Sequence, residues 1–167
     1  MAKVDTHATA APVAAPPAAV PAATNWREQL PVLTRPGMTL REPVAADVVA
    51  LFTALPADAP EQVLIDPPPA SVSGYETFIE RVQAGRRAGQ LACWTIVPDD
   101  SDVPVGIIGV RAMDPQASMV EGFAVVAQEF RGTPLFQTAG RMVLGCLFSQ
   151  MRVHRAEFRI DVRNGRA

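Results

Sequence analysis

The segment between residues 91 and 126 constrains the fold of this chain more than any other part. It contains three apolar stretches that are separated by two short polar turns. The stretches predict strands at about 91–97, 103–112 and 118–126, because each is short, apolar and bounded by turn residues. Strands that are joined by such short turns pair antiparallel, so the sequence predicts a three-stranded antiparallel meander.

The remaining pattern predicts helices and further strands around this meander. A short strand is expected at Met38–Arg41, followed by a helix at about 44–55 and a second helix that begins with a capping box from Ser73 to Glu76. A buried helix at about 135–151 and a half-buried strand at 153–162 complete the chain. The predicted order is β-α-α-β-β-β-α-β, an α+β fold with a mixed, mostly antiparallel sheet flanked by helices.

The first residues of the chain differ in composition from the rest. Ten of the first 24 residues are Ala and four are Pro, and none is aromatic. Such a segment buries too little apolar surface to offset the entropy lost on ordering. We therefore expect residues 1–25 to form a disordered tail and residues 26–167 to form one domain.

Charge, cysteine content and hydropathy exclude several classes of protein. The formal net charge of −2 lacks the positive excess that nucleic-acid binding requires. The two cysteines, Cys93 and Cys146, lie in separate apolar stretches, and no CxxC pair or Cys/His cluster indicates a zinc site. No apolar run reaches the roughly 18 residues of a membrane span. We expect no metal, no nucleic acid and no membrane as a partner.

The turn between the third strand of the meander and the following helix carries the chemistry. Thr133 is the expected N-cap of that helix, and Pro134 suits its first position. The first amides of a helix lack intrahelical partners, and together with the helix dipole they can bind an anion such as a diphosphate. Arg131 adds positive charge, and Gly132 lets a ligand approach the backbone. A purely structural strand–turn–helix gives the same pattern, so that alternative stays open.

The order and spacing of several segments resemble the GNAT superfamily of acetyl-CoA-dependent N-acetyltransferases, in particular its RimJ/RimL-like branch. The resemblance runs from about residue 31 to residue 167. No single motif is specific, and the likeness rests on the succession of all of them. The segments are Leu40–Pro43, Tyr75–Gln90, Cys93–Val97, Val105–Gly109, Val120–Phe123, Gln128–Ala139 and Arg159–Asn164.

The resemblance implies how the chain would bind acetyl-CoA as a cosubstrate. In such folds two neighbouring strands part, and the pantetheine arm lies between them like an additional strand. The backbone of Phe123, Ala124 and Val125 would then bind the arm. The residues implied for the diphosphate are Arg131, Gly132, Thr133, Leu135 and Phe136. The implied reaction is attack by a primary amine, of a protein N-terminus or a small molecule, on the thioester, in the cytoplasm.

Two residues are the candidates for catalysis that the resemblance implies. Glu121 would act as the general base, through a water molecule, and the alternative is a solvated strand residue paired with an arginine on a neighbouring strand. Asn164 occupies the position at which the family places an Asn near the pantetheine arm, and it is also implied to bind the cosubstrate. Its alternative is a turn residue before Gly165.

The sequence departs from the family pattern at two places. Pro134 and Phe136 stand where the phosphate-binding loop has small residues, and Pro134 removes one amide donor. The family also continues beyond the last predicted strand with a helix and further strands, so the domain is expected to be incomplete at its C-terminus, either as a fragment or completed by a partner such as a second copy in a homodimer. A truncated or degenerate module that binds acyl-CoA or pairs with a subunit, without catalysis, is therefore the alternative function.

Overall fold

A computed structural model describes residues 25–55, 69–114 and 116–159 of the 167-residue chain. The predicted tail, up to residue 24, and Asn164 lie outside these residues. The helices are α1 (Val48–Ala54), α2 (Val72–Arg87) and α3 (Pro134–Ser149), and two 3₁₀ turns span Ala45–Asp47 and Gln128–Phe130. The strands are β1 (Leu33–Arg35), β2 (Met38–Arg41), β3 (Leu91–Pro98), β4 (Gly106–Ala112), β5 (Met119–Val126) and β6 (Arg155–Phe158).

The described strands form one six-stranded sheet in the order of the sequence. All neighbours pair antiparallel from β1 to β5, whereas β6 lies parallel to β5. Because α3 connects β5 to β6, it provides the crossover that a parallel pair needs. The predicted α+β fold and the antiparallel meander are thus confirmed.

Strand β1 was missed by the sequence analysis. It forms a hairpin with β2, in which Arg35 is paired with Met38 across the dipeptide Pro36-Gly37. Gly37 has a φ of +97°, which glycine adopts readily in a turn with proline before it. A three-residue strand is too short to show alternation, so the Pro-Gly pair was the available signal.

The predicted capping box at the start of α2 was also wrong. The N-cap is Ser71, whose Oγ accepts a hydrogen bond of 3.0 Å from the Gly74 amide, and Ser73 lies inside the helix. Both serines suit an N-cap by residue type. Ser73 was predicted because Glu76 follows it by three residues, as in a capping box. α2 ends at Arg87 and is closed by Gly89, where φ is +73°, and the Gln90 amide donates to the Gly85 carbonyl, as in a Schellman motif.

Helices cover both faces of the sheet, and each face has its own apolar core. α3 packs on one face, against a core that includes Trp94, Ile108 and Ala124. α1 and α2 pack on the other face, against Cys93, Phe123 and other residues. Since successive residues of a strand alternate between faces, β5 contributes to both cores.

The two longest helices of the described chain, α2 and α3, have 16 residues each, and no helix there has the length and apolarity that crossing a bilayer demands.

Candidate functional site

Within the described residues, the ladder between strands β5 and β6 ends just before Phe123. Their parallel ladder begins at Met119–Arg155 and ends at Gly122–Phe158, and Arg159 already lies outside β6. β5 nevertheless continues to Val126, four residues past the ladder, and in the described chain it is paired there with β4 alone. Among the described residues, no strand covers the outer edge of β5 beyond Gly122.

The backbone groups that point to this edge follow from the hydrogen bonds of β5. The Ala127 amide donates to the Val105 carbonyl at 2.8 Å, and the Val125 carbonyl also faces β4, 2.8 Å from a Cβ built on Gly106. Peptide groups alternate in direction along a strand, so the backbone N–H and C=O of Ala124 and Val126 point outward. The Val126 carbonyl does accept a hydrogen bond from outside the sheet, 3.3 Å from Arg131 Nε.

The turn that leads from β5 into α3 ends beside this edge. Gly132 has a φ of +73°, a conformation that costs other residues about 1–2 kcal/mol. A Cβ built on Gly132 has no atom of the described chain within 4 Å. The backbone at Gly132 therefore borders open space, as an approaching ligand requires.

The first turn of α3 has the features of an anion site. Thr133 is the N-cap, as predicted, but its hydroxyl donates to the Phe130 carbonyl at 2.8 Å and makes no capping bond to the helix. Pro134 has no amide, so Leu135 and Phe136 supply the first helical N–H groups. These amides and the dipole of a 16-residue helix favour a negatively charged group at this point.

Glu121 lies on the face of β5 that is opposite to α3, one residue before the last pair of the described ladder between β5 and β6. It is 4% exposed, and both of its carboxylate oxygens are ion-paired. Arg111 Nη2 on β4 lies 2.8 Å from Oε2, and Arg159 Nε lies 2.9 Å from Oε1. The alternative predicted for Glu121 was a solvated residue paired with an arginine on a neighbouring strand. The pairing is correct, but Glu121 is buried.

Each oxygen of Glu121 keeps acceptor capacity beside its guanidinium contact, because a carboxylate oxygen has two lone pairs. Glu121 can therefore still accept a hydrogen bond from a water or an amine that reaches it. Arg111 and Arg159 had no assigned role in the sequence analysis. The signal that could have found them was the alternation of apolar and charged residues over 153–162. This alternation placed Arg155, Glu157 and Arg159 on one side of the last predicted strand.

Comparison with known proteins gives one family and a set of similar folds. A family profile described as "Acetyltransferase (GNAT) domain" matches residues 38–167. Comparison with curated proteins finds no match.

Three solved structures illustrate the similarity of fold. RimJ of Mycobacterium smegmatis, in complex with CoA-disulfide, is 20% identical with a TM-score of 0.70 over 85% of this chain and 72% of its own. An acetyltransferase (GNAT family) of Bacillus anthracis is 14% identical, with a TM-score of 0.59 over 75% and 70% of the two chains. A GCN5-related N-acetyltransferase of Brucella melitensis is 15% identical, with a TM-score of 0.62 over 81% and 62%.

Proposed function

Because the chain belongs to the acetyltransferase (GNAT) domain family, we propose that it transfers the acetyl group of acetyl-CoA to a primary amine, of a protein N-terminus or of a small molecule, as a member of the RimJ/RimL-like branch. The observation that carries this proposal is the juxtaposition of two features. The edge of β5 past Gly122, which no strand of the described residues covers, leads to the N-terminus of α3, where Thr133 makes no side-chain capping bond. An extended arm that ends in a diphosphate matches both features.

The residues of this chain fit the diphosphate and the extended arm of acetyl-CoA. Arg131, Gly132 and Thr133 form the turn, and the amides of Leu135 and Phe136 follow in the first turn of the helix, where a diphosphate is favoured. Phe123, Ala124 and Val125 form the strand next to the arm. Among them Ala124 presents its backbone N–H and C=O outward, and we add Val126 for the same reason.

Acetyl-CoA supplies an activated thioester when it is bound, and the chain must position and deprotonate the amine. Glu121 lies on the strand that lines the proposed arm site, and we propose that it accepts the proton of the amine through a water. By positioning acetyl-CoA, β5 would contribute much of the rate, since the thioester and the amine then react as an oriented pair instead of meeting by diffusion. Asn164, which lies outside the described residues, stays a candidate for the same site.

Two further assignments accompany the proposal. We place the protein in the cytoplasm because its donor is an intracellular metabolite. A homodimer is proposed through the outer side of β6, which is the last strand of the described sheet and has no partner strand there.

A second candidate function is a module that binds acyl-CoA or pairs with another subunit without catalysis. The ion pairs of Glu121 with Arg111 and Arg159 favour it, because both carboxylate oxygens are already engaged in contacts that hold the sheet together. This candidate uses the same β5 edge and the same turn at Gly132. It differs in predicting no turnover.

Calorimetric titration with acetyl-CoA and a CoA-release assay with a panel of amines separate the two candidates. Binding with release of CoA that depends on an amine supports the acetyltransferase. Binding without turnover on any amine, including peptides with free N-termini, supports the non-catalytic module. Absence of acetyl-CoA binding contradicts the acetyltransferase and the acyl-CoA-binding form of the module, and leaves only pairing with another subunit.

A further inference from the structure

We propose that the acceptor amine carries an anionic group close to its nitrogen, most simply a carboxylate, and that Arg111 and Arg159 recognise this group. The inference rests on the proposed acetyl transfer and names the chemical class of its acceptor. It starts from the charged residues that surround Glu121.

These residues form a positively charged patch, which we call the arginine patch, made up of Arg111, Glu121, Arg155, Glu157 and Arg159. Three arginines against two glutamates give a surplus of one positive charge, whereas the whole chain has a net charge of −2. Glu121 is opposite Arg111 on β4 and Glu157 on β6, so the patch crosses three adjacent strands. The arginine patch ends at the last pair of the described ladder between β5 and β6.

The patch holds one arginine more than Glu121 needs for charge balance. A single guanidinium neutralises the buried carboxylate of Glu121, and the structure places two on it. The side chains of Arg111 and Arg159 are 51% and 76% exposed, and each makes one ion pair with a described residue. A guanidinium has five N–H donors, so these ion pairs use only a minority of the donors of each arginine.

The geometry of the patch fits a zwitterion. Glu121 offers acceptor capacity to an amine, and the guanidinium groups within 2.9 Å of its oxygens offer donors to an anion. An acceptor whose amine and carboxylate are separated by a few bonds places the two groups on these complementary partners. Arginine favours a carboxylate in particular, because its planar fork can donate two parallel hydrogen bonds.

Paired acceptors test the inference directly. The first arm compares L-alanine with L-alaninamide and tests a free amino acid as the acceptor. The second arm compares the peptide Ala-Asp-Gly with Ala-Asn-Gly and tests an acidic protein N-terminus. We expect kcat/KM to be at least about tenfold higher for the anionic member in one arm, equivalent to about 1.4 kcal/mol. Alaninamide has the less basic amine and therefore the larger unprotonated fraction at neutral pH, so the supply of free amine favours the neutral member of this pair. Equal or faster reaction of the neutral member in both arms overturns the inference.

Substitutions assign the preference to the two arginines. Arg111→Gln and Arg159→Gln should each reduce the preference for the anionic acceptor at least about fivefold, while acetyl-CoA affinity, measured by calorimetry, stays at the wild-type value. Arg155→Gln is the matched control, because Arg155 lies on β6, four residues before Arg159, and pairs with Glu157 rather than with Glu121. A preference that survives both substitutions, or is lost equally in the control, contradicts the assignment. Two separate variants keep the test valid if one of them fails to fold.

A binding measurement separates failure of this inference from failure of the proposed function. Thermal stabilisation of the wild-type protein by L-alanine and by Ala-Asp-Gly, against their neutral partners, is measured without acetyl-CoA. Stabilisation by an anionic member that Arg159→Gln abolishes supports the anion site even if no acetyl transfer is found. Turnover without such a difference leaves the acetyltransferase intact and removes the anion site.

Discussion

The ring of Phe158 lies directly against the Cα of Gly122 at the last pair of the ladder between β5 and β6. A Cβ at position 122 would overlap three atoms of that ring. The contact lies at the last pair of the described ladder. A side chain at position 122 therefore requires the ring of Phe158 to move.

We predict that Gly122→Ala lowers the free energy of unfolding by about 1–3 kcal/mol, because the new methyl group overpacks the contact with Phe158. Urea denaturation measures the change. The double variant Gly122→Ala/Phe158→Ala should lose less than the sum of the single variants, since removal of the ring relieves the overlap.

Gly140→Ala is the control for this prediction. Gly140 lies inside α3, and a Cβ built on it meets no atom within 4 Å. Alanine should therefore stabilise the protein there, by about 0.4–1 kcal/mol. If Gly122→Ala were as harmless as Gly140→Ala, the Phe158 contact would not constrain position 122.

The turn at Gly132 gives a prediction on acetyl-CoA binding. Asn and Asp both tolerate a positive φ and have the same shape, so Gly132→Asn and Gly132→Asp differ mainly in charge. We expect Gly132→Asp to weaken acetyl-CoA binding at least about tenfold relative to Gly132→Asn, because a carboxylate repels the diphosphate. Calorimetry at low salt measures both affinities. Equal affinities would remove the diphosphate from this turn.

Much of the fold was predictable from the sequence because its signals are local. The three strands of the meander and helix α3 are marked by apolar runs between polar turns, and their bounds agree with the structure to within about three residues. The hairpin of β1 was not found, because three residues carry no periodicity. The start of α2 was misplaced because Ser71 and Ser73 both suit an N-cap.

The surroundings of Glu121 could be predicted only in part. Its pairing with an arginine was one of the alternatives, but the partners come from β4 and from the end of β6, and their choice depends on strand register. Register is set by tertiary packing rather than by any one segment. The burial of Glu121 likewise depends on the neighbouring strands and on the helices above them.

Glu121→Gln tests the proposed base. Glutamine keeps the size of the side chain but cannot accept a proton, so we expect kcat to fall at least about tenfold, within the range of effects known for general bases. Acetyl-CoA affinity should change by less than about threefold. Steady-state kinetics and calorimetry provide the two values.

Glu157→Gln is the matched control, since Glu157 lies opposite Glu121 on β6 and pairs with Arg155. It should leave kcat near the wild-type value. An unchanged kcat in Glu121→Gln would exclude Glu121 as the base. It would leave only its contacts with Arg111 and Arg159 as its role.

The two cysteines provide a test of whether the acetyl group passes directly to the amine. Both thiols are buried, and burial raises the pKa of Cys146 to about 11 and that of Cys93 still further. A thiol is nucleophilic as the thiolate, and at pH 8 a pKa of about 11 leaves roughly one thiol in a thousand ionised. Neither cysteine is then suited to carry an acetyl group.

We expect iodoacetamide at pH 8 to label Cys93 and Cys146 in the folded protein at least about 100-fold more slowly than in urea, as measured by mass spectrometry. Raising the pH should accelerate labelling, because the thiolate fraction grows as pH approaches the raised pKa. Cys146→Ala should keep the wild-type kcat, with Cys93→Ala as its counterpart in β3. Rapid labelling of the folded protein, together with loss of turnover in either variant, would indicate an acyl-cysteine route in place of direct transfer.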